Sequence, residues 1–588
     1  MSKGGRLRRA RANAAARGIA TPADTVLPGI GRGAVHLISD EYVPEFLAGF
    51  REQQTLDEWA AALLRSCSRD DFLRAGVAAT YVAGVMGESG RRLRHEWQTH
   101  MIGTLEPRLR RPLERALGAS GPPRTLMDRA TLLRALRLAV LRAPEHVDVK
   151  TRKDPGVVLT LLSHYASKDA RHSRGGEPRL GGYPETLAME VIQNAYFHSV
   201  EEFGDALARY RLLWTAYESD LVRYRPRAEL VLMLREATGL DLDDILALGF
   251  ACYAHASRAR QGVSPEVDLS VFGLPADTVD RFLGVFSRTA DDLGSEFRRH
   301  AGQWEFLPFE STPLLRTGPT TVAVLEVGLL QTRLTLGLYW LVHDYEKRHS
   351  ELRREQWSQT YSELVEIHAE RQLVRLARSA DAGVVIFTED DMAALPGSNP
   401  DIGFQSGHTV VLCDVVQHQI TTPARHRGDA AKFREDVRVT VLEKASQLDS
   451  GAQELMATPM PLGSPAVRPV HRVVPVVVCG APFPVNPITL QHIREELAER
   501  TLFTDPRCGP LLVVNLSEMD MLECLVEACH ATVGGVLAAW SSTGPAASLR
   551  DYIFETFPGE GLTRPASVSA VLDEQFHLIQ SKLGTDDR

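Results

Sequence analysis

Asp401 and Asp414 stand thirteen residues apart in a stretch that otherwise reads as apolar strands joined by a turn. Asp401 follows Pro400 in a turn before a strand, and Asp414 sits near the end of the apolar run HTVVLCDVV, His408 to Val416. Side chains alternate faces along a strand, so Asp414, Val416 and His418 share one side and Val415, Gln417 and Gln419 the other. Two carboxylates brought together from adjacent strands can hold a hard divalent cation through oxygen, and a cation so held can activate water against a phosphodiester. The chemistry these residue types point to is metal-assisted hydrolysis, with Asp401 and Asp414 as ligands of Mg²⁺ or Mn²⁺.

The segments around the pair extend the pattern. Asp414-Val415-Val416 is followed by a helix carrying Glu443-Lys444-Ala445-Ser446-Gln447-Leu448, and upstream lies WSQTYSELVEIHAERQL, Trp357 to Leu373. In this order the elements resemble the PD-(D/E)xK nuclease superfamily, with Pro400-Asp401 as the PD half and Asp414 as the second acid. Val416 stands where the family has its lysine. The helix with Gln447 and Leu448 is similar to the Gln-Leu helix of RecB-like members, and Trp357 to Leu373 resembles the family's first helix. There an acid usually follows an aromatic; here Ser362 follows Tyr361, with Glu363 and Glu366 nearby. The resemblance covers roughly residues 313–540. It implies an α/β core with a central mixed sheet flanked by helices, and Glu363 or Glu366 as a supplementary acid. It also implies Lys444 as a migrated water-orienting cation and Gln447 as a substrate contact. With Ser362 and Val416 at those positions, the implied core is degenerate, inactive or weakly active, and Mg²⁺ or Mn²⁺ belongs to it only if it is catalytic.

The elements that must position these residues follow from periodicity. From about Asp40 to His300 apolar residues recur at helical spacing, as in DALARYRLLWTAYESDLVRY, and strand-like alternation is scarce. Gly239 ends one helical pattern, Asp241, Asp243 and Asp244 suit the start of the next, and Pro275 sits near the first turn of another. The Gly-rich insert Ala166 to Glu185 reads as a flexible loop. After Trp304 short β-branched runs alternate with helices. A helix is expected from Glu351 to Ser379, strands at VVIFTED, HTVVLCDVV, RVVPVVVCG and PLLVVNL, and helices near residues 430–455 and 489–500. Near-continuous Val and Leu runs mark strands covered on both faces. The expected organisation is a basic tail over residues 1–23, a mostly α-helical region over 24–304 and an α/β module over 305–588.

Composition narrows the function class. The chain has 588 residues, 44% hydrophobic, 24% charged and 7% aromatic, which excludes a disordered chain, a collagen and a disulfide scaffold. Its net charge of −9 provides no global field for nucleic acid, so any such contact must be local. One acid-free basic cluster, with Arg8, Arg9 and Arg11 at its centre, precedes Asp24 and is a candidate arm for phosphate contacts. No segment reaches 18 uncharged apolar residues, and the basic tail lacks the following apolar run of a secretory signal. The expectation is a cytoplasmic protein with no membrane partner and reduced cysteines. Cys524, Cys529 and His530 fall in a helical apolar pattern that explains them without zinc. Motifs of P-loop enzymes, elbow hydrolases and zinc proteases are absent from the sequence. DNA or RNA is the expected partner. The alternative is a non-catalytic scaffold whose helical half binds protein.

Overall fold

A computed structural model describes residues 56–83, 87–105, 107, 110, 111, 114, 129–159, 178–198, 201–215, 230–258, 264–299, 305–379, 383–392, 400–457, 468–529, 531–544, 548–557 and 564–584. The basic tail, with Arg8, Arg9 and Arg11, lies outside them.

The first half is mostly helical. Its main elements are α1 (Arg69–Ala83), α2 (Arg129–Arg142), α3 (Phe203–Thr215), α4 (Leu242–Arg258), α5 (Ala276–Phe286) and α6 (Ala290–Arg299). Gly239, with φ of 73°, closes the helix before α4, and Asp243 and Asp244 occupy the first turn of α4, where carboxylates oppose the helix dipole favourably. Short strands interrupt the expected mostly helical texture at two places. The described end of the Ala166–Glu185 insert is a hairpin, β1 (Arg179–Leu180) paired with β2 (Tyr183–Pro184), turning on Gly181 and Gly182 at φ of 55° and 81°. Glu185 already begins a helix. Further on, β3 (Glu266–Asp268) and β4 (Ser287–Arg288) join β5 (Leu314–Arg316) and β6 (Thr321–Val324) in a four-stranded mixed sheet ordered β3-β6-β5-β4. This sheet takes strands from both sides of residue 305, so the two expected regions share a sheet there. Strands of two and three residues leave no readable period, which is why the sequence pattern does not reveal them.

From residue 305 the chain builds a second sheet. Helices α7 (Val327–Leu334) and α8 (Leu336–His349) lead into α9 (Glu351–Ser379), followed by β7 (Val385–Phe387), β8 (Ile402–Ser406) and β9 (Thr409–Val416). Then come α10 (Ala430–Val437), a five-residue π turn at Arg438–Leu442, α11 (Glu443–Ala457), β10 (Arg472–Cys479), α12 (Pro487–Glu499), β11 (Leu512–Asn515), α13 (Leu516–Cys529) and α14 (Val533–Ser542). The five strands run in the order β11-β10-β9-β8-β7; β7, β8 and β9 form an antiparallel meander, and β9, β10 and β11 are parallel.

Helices cover both faces of this sheet, and the alternation along β9 decides which side chain meets which helix. Val411, Cys413 and Val415 enter a core with Leu364, Val365 and Ala369 of α9, Leu522 of α13 and Trp540 of α14. Val410, Leu412 and Val416 enter a separate core with Phe433 of α10, Ala445, Leu448 and Ala452 of α11, and Ile493 of α12. Asp414 falls between Leu412 and Val416 on that second face and is completely buried. The first core continues into the amino-terminal helices, from Ala60 through α1, α2 and α4. A polar seam reinforces the junction. Arg209 of α3, 2% exposed, donates from Nε to Asp520 of α13 at 2.7 Å and pairs through Nη1 with Glu201 at 2.7 Å. Gln372 of α9 donates to Asp520 at 2.7 Å and to Glu523 at 3.1 Å.

Candidate active site

Strand register brings the two aspartates together. Ile402 pairs with Cys413 in the antiparallel β8–β9 ladder, so one step further Asp401 stands across from Asp414. Asp401 has just left the Pro400 turn, and its Oδ2 accepts the Val415 backbone N–H at 2.7 Å, fastening the turn to β9 where β8 begins. The Asp401 carboxylate bears on Asp414 and, after burial, raises it further from the usual carboxylate range. Neither Asp414 oxygen has a donor in favourable hydrogen-bond geometry. Like-charged oxygens so placed hold a proton or take up a cation.

A helix supplies the cation. Lys444 Nζ lies 2.6 Å from Asp414 Oδ1. The lysine is in the first turn of α11, directly after the π turn, whose wider winding rephases the helix relative to α10. Two turns further along the same face, Gly451 lets α11 settle on the Pro400 turn. A Cβ at this position would come within 2.8 Å of Pro400 Cδ and 2.9 Å of Cγ. The missing side chain brings the helix against the turn that holds Asp401, and so brings Lys444 to the aspartates.

The third acid comes from α9. Burial first and Asp401 second raise Glu366 to about 7, with Lys444 opposing the shift. Burial likewise pushes Asp414 up to about 8, with Asp401 adding to the rise and Lys444 resisting it. Burial works against the charge on Lys444, but Asp414 and Asp401 outweigh it and hold the ammonium above the ordinary lysine value. Glu370, one turn beyond Glu366, is raised by burial and then by Glu389 and Asp401. Acids from α9, from the segment after β7, from the Pro400 turn and from β9 therefore act on one another within one region.

The candidate residues divide as follows. Asp401, Asp414, Lys444 and Glu366 form one electrostatic unit. Glu363 is half-buried on the same helix and acts on Glu366. Gln447 is half-buried one turn after Lys444, and its Oε1 is enclosed without a hydrogen bond. His418, expected on the face of Asp414, is held elsewhere: its Nε2 meets Asp436 Oδ1 at 3.1 Å, and Asp436 also accepts from the Thr421 N–H and hydroxyl. Glu370 and Glu389 were not singled out from sequence. Glu363, Glu366 and Glu370 do recur at helical spacing, a signal that places Glu370 on the same face of α9. Cys524 is buried outside any disulfide, and Cys529 and His530 lie outside the residues whose side chains are described.

The oxygen donors fit a hard cation of the Mg²⁺ type. Such ions bind through one or two carboxylates and keep several waters. Among the described residues no group of three or more His, Cys, Asp and Glu side chains is placed to hold a metal ion. Asp401 and Asp414 are two opposed oxygen donors, which would leave the rest of such an ion's shell to water. No helix among the described residues is singly long and apolar enough to cross a membrane.

No family model, curated protein or solved structure matches this chain.

Proposed function

We propose that the module around β7–β11 is a metal-dependent phosphodiesterase core of the PD-(D/E)xK kind, acting on DNA or RNA, in which Lys444 does the work of the lysine replaced by Val416. One relationship carries this reading: Asp401 and Asp414 face each other across β8 and β9 while Lys444 reaches Asp414 from α11. The order of α9, the β7–β9 meander, α11 and the parallel strand β10 supports it, as does covering of the sheet on both faces. A divalent ion bound by Asp401 and Asp414 would supply Lewis acidity at a phosphate oxygen and acidify a bound water. The residues of the chain do the rest. Asp401, pinned by the Val415 N–H, fixes the position of the carboxylate pair. Lys444 orients the attacking water and offsets charge that builds on the phosphate. Glu366, near neutrality in pKa, accepts the proton of that water. Gln447, on the lysine's helix, contacts the substrate strand, and the basic tail with Arg8, Arg9 and Arg11 adds salt-sensitive phosphate contacts.

The test is cleavage of single- and double-stranded DNA and RNA in Mg²⁺ or Mn²⁺ by the parent, Asp401→Ala, Asp414→Ala and Lys444→Ala. Metal-dependent cleavage by the parent that each substitution removes supports the reading. Identical behaviour of all four chains overturns it. The alternative, a scaffold on a nuclease-like core, draws on the closed Lys444–Asp414 pair, which satisfies both charges without a metal. It predicts no cleavage, no metal uptake and no salt-dependent retention on nucleic acid with or without residues 1–23.

A further inference from the structure

A second charged site lies at the edge of the four-stranded sheet. Strand β4 is the edge strand, paired in parallel with β5 through Ser287–Leu314 and Arg288–Leu315. Arg288 and Arg316 project at this edge and line a cavity of about 260 Å³ together with Gly284, Ser287, Thr289 and Asp292. The cavity is far larger than the space one water fills. Gly284 and Thr289 are exposed, so the cavity opens to solvent.

Its charges are uneven. Arg316 donates from Nε to the Ser287 hydroxyl at 3.1 Å and, among the described residues, pairs with no carboxylate. Arg288 spends Nη1 on the Gly284 and Ser287 carbonyls at 2.9 and 2.8 Å and has only a long contact, 3.5 Å, between Nε and Glu296. Asp292 is the acid in the lining, and its Oδ2 is engaged by the Thr289 N–H and hydroxyl in capping α6. A third arginine, Arg333 of α7, stands over the ring of Phe286, the residue before Ser287, with Cζ 5.9 Å from the ring centroid. Among the described residues its Nε is enclosed without a hydrogen bond, and Nη1 reaches the Gly337 carbonyl at 3.5 Å. Burial lowers Arg333 to about 10, Asp344 opposes the shift and Arg288 adds to it. Two guanidinium groups thus line a cavity whose own acid, Asp292, is already engaged, and the charge of Arg333 bears on Arg288 from outside the lining.

We propose that this cavity is an oxyanion site that takes up a phosphate group on Arg288 and Arg316, with Arg333 reinforcing the positive field from behind Phe286. Planar guanidinium forks match phosphate oxygens with paired, charge-assisted hydrogen bonds. The exposed rim admits either a free phosphate or a phosphate of a nucleic-acid strand. The site is built from residues separate from the carboxylate pair, so it stands or falls independently of the cleavage reading.

The experiment is calorimetric titration of the full chain with inorganic phosphate and, in a second arm, with a 5′-phosphorylated single-stranded oligonucleotide, in low salt and without divalent metal. The parent should bind phosphate, and Arg288→Gln combined with Arg316→Gln should weaken binding by about tenfold or more. Gly284→Asp gives a variant that leaves both arginines in place. A Cβ at Gly284 meets nothing within 4 Å, so the new carboxylate adds charge without a clash and should weaken binding likewise. Arg281→Gln, on the same helix but outside the lining, should bind as the parent does. Tighter oligonucleotide binding lost in the same variants identifies a strand phosphate as the occupant; binding of inorganic phosphate with no gain from the oligonucleotide identifies a free phosphate. No phosphate uptake by the parent at about 10 mM, or undiminished uptake by Gly284→Asp, overturns the proposal.

Discussion

Lys444 Nζ lies 2.6 Å from Asp414 Oδ1, so a charge that β9 does not carry reaches its buried aspartate from the helix packed above it. The contact explains how a fully buried carboxylate is tolerated beside Asp401, because an unpaired charge in that position would be expelled or neutralised. It also defines a rescue experiment. Val416 lies on the face of Asp414, in the same core as the helix that bears Lys444. Lys444→Ala should reduce metal-dependent cleavage by about 10²–10³-fold, the scale of losing one preorganised charge at a reacting centre. Val416→Lys in that background should recover part of the loss, measured as single-turnover cleavage. Recovery separates a water-orienting role from a purely structural one.

The raised acids give the site a pH signature. Asp414 and Glu366 stand at about 8 and about 7, against 3.8 and 4.5 for the ordinary side chains. Between these values the folded chain holds protons that the unfolded chain has released. Their contribution to stability is therefore present at low pH and lost as pH rises through the folded values. In chelator the melting temperature of the parent should fall more steeply from pH 5 to pH 8.5 than that of Asp414→Asn, with thermal unfolding as the readout. Mg²⁺ or Mn²⁺ should raise the parent's melting temperature more at pH 8 than at pH 6, because bound metal displaces those protons.

Gly451 should resist substitution despite lying inside a helix. Alanine at a helical glycine ordinarily stabilises by about 1 kcal/mol. Here the added Cβ would meet the Pro400 ring at 2.8 Å, and a proline ring cannot rotate aside. Overpacking of this kind costs about 1–3 kcal/mol. Gly451→Ala should therefore lower stability in chemical denaturation and lower metal affinity together, since the same contact sets the spacing of Lys444 and Asp401.

The polar seam between the two halves should show the opposite dependence on charge. Arg209 is buried between Asp520 and Glu201, and Asp520 also accepts from Gln372. Arg209→Met strands both carboxylates and should destabilise the fold by about 3–5 kcal/mol. Arg209→Met with Asp520→Leu should recover part of that loss in equilibrium unfolding, because the stranded charge is removed with its partner. Cleavage by the surviving folded fraction should be unchanged, since neither residue belongs to the carboxylate site.

The order and kind of the longer elements could be read from the residues alone. The helix Glu351–Ser379, the strands at Thr409–Val416, Arg472–Cys479 and Leu512–Asn515, and the start of α4 behind Gly239 were legible because apolar period and end residues are local properties. Alternation placed Asp414 on the face of Val416, and the Pro400-Asp401 turn marked the start of the partner strand. Which distant side chains meet was settled by folding. A period states which face is buried and leaves open what packs on it. Only folding set Asp401 against Asp414, brought Lys444 onto the pair, gave His418 to Asp436 and drew Glu366 toward the aspartates. The two-residue strand Ser287–Arg288 shows the same limit at the other sheet. It is too short to carry a period, and it exists because β5 offers it backbone partners from a different part of the chain.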